Sequence, residues 1–403
     1  MSAAKPRGCW ENGKAAGVFR RGGFALLLVL LAVVLILGGA ERLAALRAAQ
    51  EPEYQGKKAS VWLDMLANDG SVRKRALAVE AAGRLWQEHR YTEALAGILR
   101  AVRVDTSAAV RGTAAQVLAG LPERDLRACA KELAEAMQAE KDSRVRRELA
   151  LLLARHEELA RPAVPGLVQA LRDPQAAVRA AAAEALAVAG PEAKSAAADL
   201  VTLLRDSDPA VRRAAVRALG RIEPAGAAAV ADTLAALLTQ EKDRELRWEI
   251  VISLGLLQEK TPAVLQALHQ LLQQEDGELR LRTLRVLGSF KTAARGSAAE
   301  VLRLARSDPL KSVRQEAVHT FAALHGPELI QHLSELLSLL KDPEYEVRLA
   351  VVEEVGALGP ALQNHAEALR SLRQRLSDPH LKVREAAAAA LKRLEPKPKA
   401  DKE

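Results

Sequence analysis

An all-α solenoid is the fold this sequence predicts, and three observations carry the prediction. A Val-Arg or Leu-Arg pair returns ten times, at Arg73, Arg111, Arg146, Arg179, Arg212, Arg247, Arg280, Arg314, Arg348 and Arg384, with spacings of 38, 35, 33, 33, 35, 33, 34, 34 and 36 residues. A period of this length marks stacked helix pairs. Aromatic residues are only 3% of the chain, while Ala, Leu, Arg and Glu favour helix and leave little for strands. Inside each copy the apolar residues fall at helical spacing, as the copy over residues 162–189 shows.

Taken from the N-terminus, residues 1–21 are a basic leader carrying Lys5, Arg7, Lys14, Arg20 and Arg21. Residues 22–40 are an uncharged stretch of 19 residues centred on Phe24 to Leu37. As a helix this stretch reaches about 28 Å, close to the thickness of a bilayer hydrocarbon core. The basic residues ahead of it orient the N-terminus toward the cytoplasm against Arg42, Arg47, Lys57 and Lys58 behind it, which places the repeats outside. The alternative is a cleaved secretory signal, with Gly38-Gly39-Ala40 as small residues where a peptidase can cut. Both readings export the repeats. Cys9 precedes the apolar run, contrary to a lipoprotein, and Cys129 alone lies beyond it, so no intramolecular disulfide forms there.

Residues 41–59 are a linker and cap, 60–394 the repeat array, and 395–403 a polar, proline-containing tail expected to be disordered. In the copy at 162–189, Val164, Leu167, Val168 and Leu171 line one helical face, and Val178, Ala182, Ala185 and Leu186 line another. Asp173-Pro174 between them reads as a helix start, and Gly190-Pro191 as a stop. Neither helix buries its apolar face alone, so each copy needs neighbours on both sides. Tyr54 and Trp62 stand where the first copy has no neighbour and read as its cap.

These residues resemble the HEAT repeats, in the short HEAT-like variety first described in phycobilisome lyases. The resemblance rests on Asp173-Pro174 with Val178-Arg179, Asp308-Pro309 with Val313-Arg314, Asp342-Pro343 with Val347-Arg348, and Asp378-Pro379 with Val383-Arg384. It implies a hydrogen-bonded ladder between repeats, built from Asp173, Arg179, Asp206, Arg212, Asp308, Arg314, Asp342, Arg348, Asp378 and Arg384. The copies at Arg73, Arg146, Arg247 and Arg280 depart from the pattern, with Asp69, Asp142, Asp243 and Asp276 four residues ahead and no proline, so the resemblance does not carry the ladder to them. The stretch from Glu51 to Leu63 looks like the leader of exported bacterial proteins of this kind.

Composition and motifs narrow the function. The chain carries +8 overall, but the leader holds half of it, and a net +4 beyond residue 40 with few aromatics is a poor nucleic-acid surface. His319, His325 and His332 are spaced by six and seven residues, unlike a metal-binding pair four apart, and read as surface histidines. Deoxyhypusine hydroxylase, a HEAT-like enzyme, holds iron with several His-Glu pairs, and here only His156-Glu157 has that form. No cofactor and no catalytic residue is expected. Cys129 reads as a small packed hydrophobe. What remains is the concave surface, where the residue after each repeated arginine and the one four later point away from the core. There Trp248, Ile252, Leu281 and Leu349, flanked by Arg285 and His319, are expected to form an apolar strip that binds a protein or peptide. The expected role is a membrane-anchored, non-catalytic interaction scaffold. A lyase-like or small-molecule-handling accessory using the same groove is the alternative, favoured by a deep polar pocket.

Overall fold

The computed structural model describes residues 51–394. The leader 1–21, the apolar segment 22–40 and the tail 395–403 lie outside the described residues. Among the described residues no helix is long and apolar enough to cross a membrane. The chain divides into two compact units, one through Ala101 and one from Val102.

The first unit opens with a hairpin of two dipeptide strands, β1 (Glu53–Tyr54) and β2 (Lys57–Lys58), paired antiparallel with Tyr54 opposite Lys57. Gln55 and Gly56 make its turn at φ of 50° and 72°, the two positive angles that a tight two-residue hairpin needs. The hairpin lies over helix α1 (Ala59–Asn68), which packs against α2 (Val72–His89); α3 (Thr92–Val104) follows. Trp62 of α1 is 2% exposed; its indole N–H donates to the Tyr54 carbonyl at 2.9 Å, and Lys57 Nζ stands 4.6 Å over its ring. Residues 51–59 thus lie over Trp62, one of the two residues expected to form a cap. The strands themselves were not expected. Dipeptides are too short to show alternation, and Gln-Gly is a weak turn signal beside Asn-Gly.

The second unit continues with α4 (Ala108–Ala119), α5 (Glu123–Leu126), α6 (Ala130–Ala139), α7 (Ser143–Leu153), α8 (Glu157–Ala170) and α9 (Ala176–Ala189). Next come α10 (Ala197–Leu203), α11 (Pro209–Leu219), α12 (Ala227–Gln240), α13 (Arg244–Leu257), α14 (Pro262–Leu271) and α15 (Gly277–Phe290). The unit ends with α16 (Ala298–Ser307), α17 (Lys311–His325), α18 (Leu333–Ser338), α19 (Tyr345–Ala357), α20 (Ala366–Arg375) and α21 (Leu381–Leu394). The second helices of the pairs, α4, α7, α9, α11, α13, α15, α17, α19 and α21, each pack on the next. Val164, Leu167 and Leu171 of the outer helix and Val178, Ala182, Ala185 and Leu186 of the inner one are all buried, as their spacing predicts.

The Asp-Pro turn differs from the expected helix start. Helix α9 begins at Ala176 with Gln175 as its N-cap, so Pro174 stands outside it. Asp173 instead accepts the Gln175 N–H at 2.9 Å, folding the chain back two residues ahead of the helix. The acids four residues before the arginine are the true caps: Asp142, Asp243 and Asp276 each accept two N–H groups of the following helix.

Close approach of the inner helices rests on small residues eight positions after the repeated arginine. A Cβ on Gly220 would lie 2.8 Å from the Ser253 Cβ, one on Gly255 2.9 Å from Val286 Cγ2, and one on Gly356 2.7 Å from the Ala390 Cβ. Ser253 Oγ uses this proximity to donate to the Val216 carbonyl at 2.9 Å. Gly220→Ala is therefore expected to lower stability by about 1–3 kcal/mol through overpacking. Chemical denaturation of Gly220→Ala beside Gly296→Ala, a site with nothing within 4 Å of the added Cβ, checks this; equal losses in both would refute it.

Candidate protein-binding groove

Each inner helix presents its repeated arginine at the turn that leads into it, where three bonds converge. In the regular copies Nη1 reaches back to the carbonyl six residues earlier, at 2.9 Å from Arg179 to Asp173 and from Arg314 to Asp308. Nε and Nη2 form a fork that grips the carboxylate of the following copy. Arg179 takes Asp206 at 2.7 and 2.9 Å, Arg280 takes Asp308 at 2.7 and 3.0 Å, Arg314 takes Asp342 at 2.7 and 3.1 Å, and Arg348 takes Asp378 at 2.9 Å twice. One oxygen of the same carboxylate also holds the N–H two residues on. A two-pronged charged bond of this kind, shielded from water, fixes orientation as well as energy. At Asp378 burial disfavours ionisation most, and Arg348 with the His380 N–H overcomes it, so the carboxyl ends below its ordinary value.

The ladder is wider than the resemblance implies at its start and interrupted in the middle. Arg111 closes on Glu140 at 2.7 and 2.8 Å, and Arg146 closes on Asp173 at 2.7 Å. Arg146 and Arg280 thus take part, although their own copies lack the Asp-Pro pair, because the acid that matters to an arginine belongs to the next copy. In the first copy the repeated Arg73 is out of register: Arg75, six residues after Asp69, bonds the Asp69 carbonyl at 2.9 Å. Arg212 bonds the carbonyls of Asp206 and Ser207 but meets no acid among the described residues. Arg384 bonds the carbonyls of Asp378 and Pro379.

A groove of about 380 Å³ lies across the inner helices α9, α11, α13 and α15. Its apolar lining is Ala210, Ala214, Trp248 and Ile252; its charged lining is Glu184, Arg213, Arg217, Glu245, Glu249 and Arg282. The charges are tied in pairs between helices. Arg213 bonds Glu245, and Arg217 bonds Glu249 at 2.7 Å while standing 3.8 Å from Glu184. Trp248 is half-buried: the guanidinium carbons of Arg244 and Arg282 stand 4.5 and 5.2 Å from its ring centre, and its N–H donates to Asp276 at 3.3 Å. Arg244 also grips Asp276 at 2.7 and 3.1 Å, and that grip first of all holds the Asp276 carboxyl down at about 2. Trp248 is therefore committed to a cation-rich network instead of lying bare.

Of the expected strip, the groove brings together Trp248 and Ile252 only, and Ile252 is 37% exposed. Leu281 and Leu349 are half-buried, and neither lines it. Arg285 bonds Glu316 at 3.1 Å, and His319 Nδ1 lies 2.7 Å from Glu354 on the next inner helix. A continuous apolar strip from Trp248 to Leu349 is thus not what forms; a mixed groove centred on α13 is. Sequence reasoning missed three contributors. Arg213 and Arg217 line the same groove as Trp248, and Leu256, 52% exposed, continues the ridge of Trp248 and Ile252 at positions four apart on α13. That spacing was visible in the sequence.

The histidines also differ from expectation. His325 is 3% exposed, with Nδ1 2.8 Å from the Phe321 carbonyl, and its ring centre is 4.0 Å from that of His332. Helix α17 and the turn after it fold these two together, so His325 is a core residue. Burial above all pushes its pKa down. Cys129 is buried and unpaired, as expected, and burial raises its thiol. Among the described residues no group of three or more His, Cys, Asp or Glu side chains is placed to hold a metal ion.

The second unit is thus a solenoid of paired helices whose inner helices are cross-linked by arginine forks. The HEAT repeats family matches residues 164–255, 231–322, 265–338 and 333–402, and the chain belongs to that family. A crystal structure of an engineered protein is similar in fold, with a TM-score of 0.56 at 20% identity over 84% of this chain and 99% of that one. A structure of Kap95p bound to RanGDP is similar at a TM-score of 0.51 and 17% identity, over 83% of this chain; the match spans 50% of that chain's length. No curated protein matches.

Two outcomes are expected of these contacts. Arg348→Ala leaves the buried Asp378 with only Arg375 Nη1 at 3.4 Å and the His380 N–H and is expected to cost about 3 kcal/mol, the low end for breaking a buried pair, to be read by urea denaturation against Arg384→Ala, whose fork holds no acid among the described residues. His319 is raised above its ordinary value, chiefly by its bond with Glu354. Its stabilisation is present in full below the unfolded pKa of about 6.5 and is lost as pH rises through the folded value. The Tm difference between the protein and His319→Gln is thus expected to be largest near pH 6 and to shrink above it; a pH-independent difference would show that the pair does not titrate.

Proposed function

We propose that this protein is a non-catalytic interaction scaffold that binds a protein or extended peptide in the α11–α13–α15 groove, with no cofactor. The observation that carries the reading is the groove itself: open, half charged and half apolar, with Ile252 and Leu256 presented on one ridge of α13. The paired carboxylates and guanidinium groups along it offer acceptors and donors at intervals set by the inner helices, a pattern suited to a polypeptide with its own alternating groups. A small-molecule accessory would need a deeper site with converging unpaired groups, whereas here Arg213 pairs with Glu245, Arg217 with Glu249 and Arg282 with Glu278, and the Arg282 Nε alone in the lining is buried without a partner among the described residues. The family membership supports a scaffold, and the Kap95p structure supplies an example of this fold holding a protein, RanGDP. We further propose that residues 22–40 anchor the chain in a membrane with the N-terminus cytoplasmic and the repeats exported. Their uncharged length and the basic leader support that orientation.

Two experiments separate these statements. A photocrosslinking amino acid placed at position 252 of the full-length protein in its native membranes is expected to capture a polypeptide that the same probe at Lys260, away from the groove, does not. Capture abolished by Arg217→Glu in the same background would confirm groove binding, and equal capture from both positions would overturn it. For the anchor, alkaline extraction should leave the protein in the membrane pellet with an intact N-terminus by mass; release with a new N-terminus after residue 40 would replace the anchor by a cleaved signal.

A further inference from the structure

The arginine ladder is closed at Arg111, Arg146, Arg179, Arg280, Arg314 and Arg348, and open at two consecutive positions, Arg212 and Arg247. At Arg247 the cause lies in the sequence. The position six residues before the next repeated arginine holds Gln274 instead of an acid, and the buried Arg247 Nε has no hydrogen-bond partner among the described residues. At Arg212 an acid is in register, and Glu241 holds the N–H groups of Lys242 and Asp243 as Glu140 holds those of Lys141 and Asp142, but no bond from Arg212 reaches it. Both open rungs border the same helix, α13, the floor of the groove.

What ties α13 to its neighbours differs at its two ends. Near the C-terminal end the contacts are close and dry: Gly220 against Ser253 with the Ser253 bond to Val216, and Gly255 against Val286. At the N-terminal end the links are pairs on the surface. Arg244 and Asp276 have side chains 64% and 17% exposed, and Arg213 and Glu245 32% and 65%, against 8% and 1% for the closed rung of Arg280 and Asp308. Exposed pairs are weak and screened by salt, whereas a buried fork is screened far less.

We propose that α13 is a hinge built into the array. The inner helices on either side pivot on the pinned C-terminal ends and part at the two open rungs, which widens the groove, and ionic strength sets how freely they do so. The hinge stands whether or not the groove takes a partner, because it arises from contacts of the chain with itself.

Hydrogen exchange read by mass spectrometry on the full-length protein tests it. Raising salt from about 0.1 M to about 1 M shortens the screening length from about 10 Å to about 3 Å. Amides in the first turns of α13 and α15 are expected to exchange on the order of tenfold faster at the higher salt, with those of α17 and α19 unchanged. Gln274→Glu, at an exposed position, supplies an acid for Arg247 and is expected to remove the salt response of α15, while that of α13 persists because the Arg212 rung stays open. Uniform exchange along the array, or a salt response of α15 that survives Gln274→Glu, would overturn the hinge. A second pair of variants guards against a repair that misfolds: Arg247→Gln is expected to leave Tm unchanged while Arg280→Gln lowers it. Equal lowering in both would show that Arg247 bears a load equal to a closed rung and would equally overturn the proposal.

Discussion

Everything in the second unit depends on one bond, the fork from an inner-helix arginine to the carboxylate of the next copy. Apolar burial between helices built largely from Ala and Leu is non-directional, and by itself it leaves the angle between successive pairs loosely set. The fork supplies the missing direction. Because its two N–H groups and the two carboxylate oxygens must be coplanar, each closed rung fixes how one copy sits on the next. The same carboxylate ties down the turn through a backbone N–H, and the same arginine ties down its own turn through Nη1. Turn, helix start and neighbour are therefore set together.

This division of labour explains why the groove lies where it does. Where rungs are closed, the inner helices are held in register, and their exposed positions carry pairs such as Arg285 with Glu316 and His319 with Glu354. Around α13 two rungs are open, and the surface pairs Arg213 with Glu245, Arg217 with Glu249 and Arg244 with Asp276 are left as the charged cross-links there. The lining of the groove and the weakness of the ladder are two views of one redistribution of charge. The proposed binding surface and the proposed hinge share α13 for that reason.

Much of this was legible in the chain. The period and the apolar faces rest on local spacing, and the ladder pairs at Arg179, Arg314 and Arg348 followed from the family resemblance. The misreadings share a cause. Asp173-Pro174 looked like a helix cap because the two-residue offset between a turn acid and a cap acid is invisible without the backbone. The strip from Trp248 to Leu349 looked continuous because helical periodicity says which way a side chain points and not what the next helix lays over it. Arg282, from the neighbouring inner helix, covers Trp248 across a gap of 34 residues.

The sequence alone thus determined the repeat, the helix pairing and the family, because each rests on spacings within one copy or between adjacent copies. The tertiary structure decided which arginines close, how Trp248 is engaged and that His325 is buried against His332. Those outcomes depend on the distance between side chains of different helices, and shifts of an ångström or two there separate a bidentate bond from an unpartnered nitrogen.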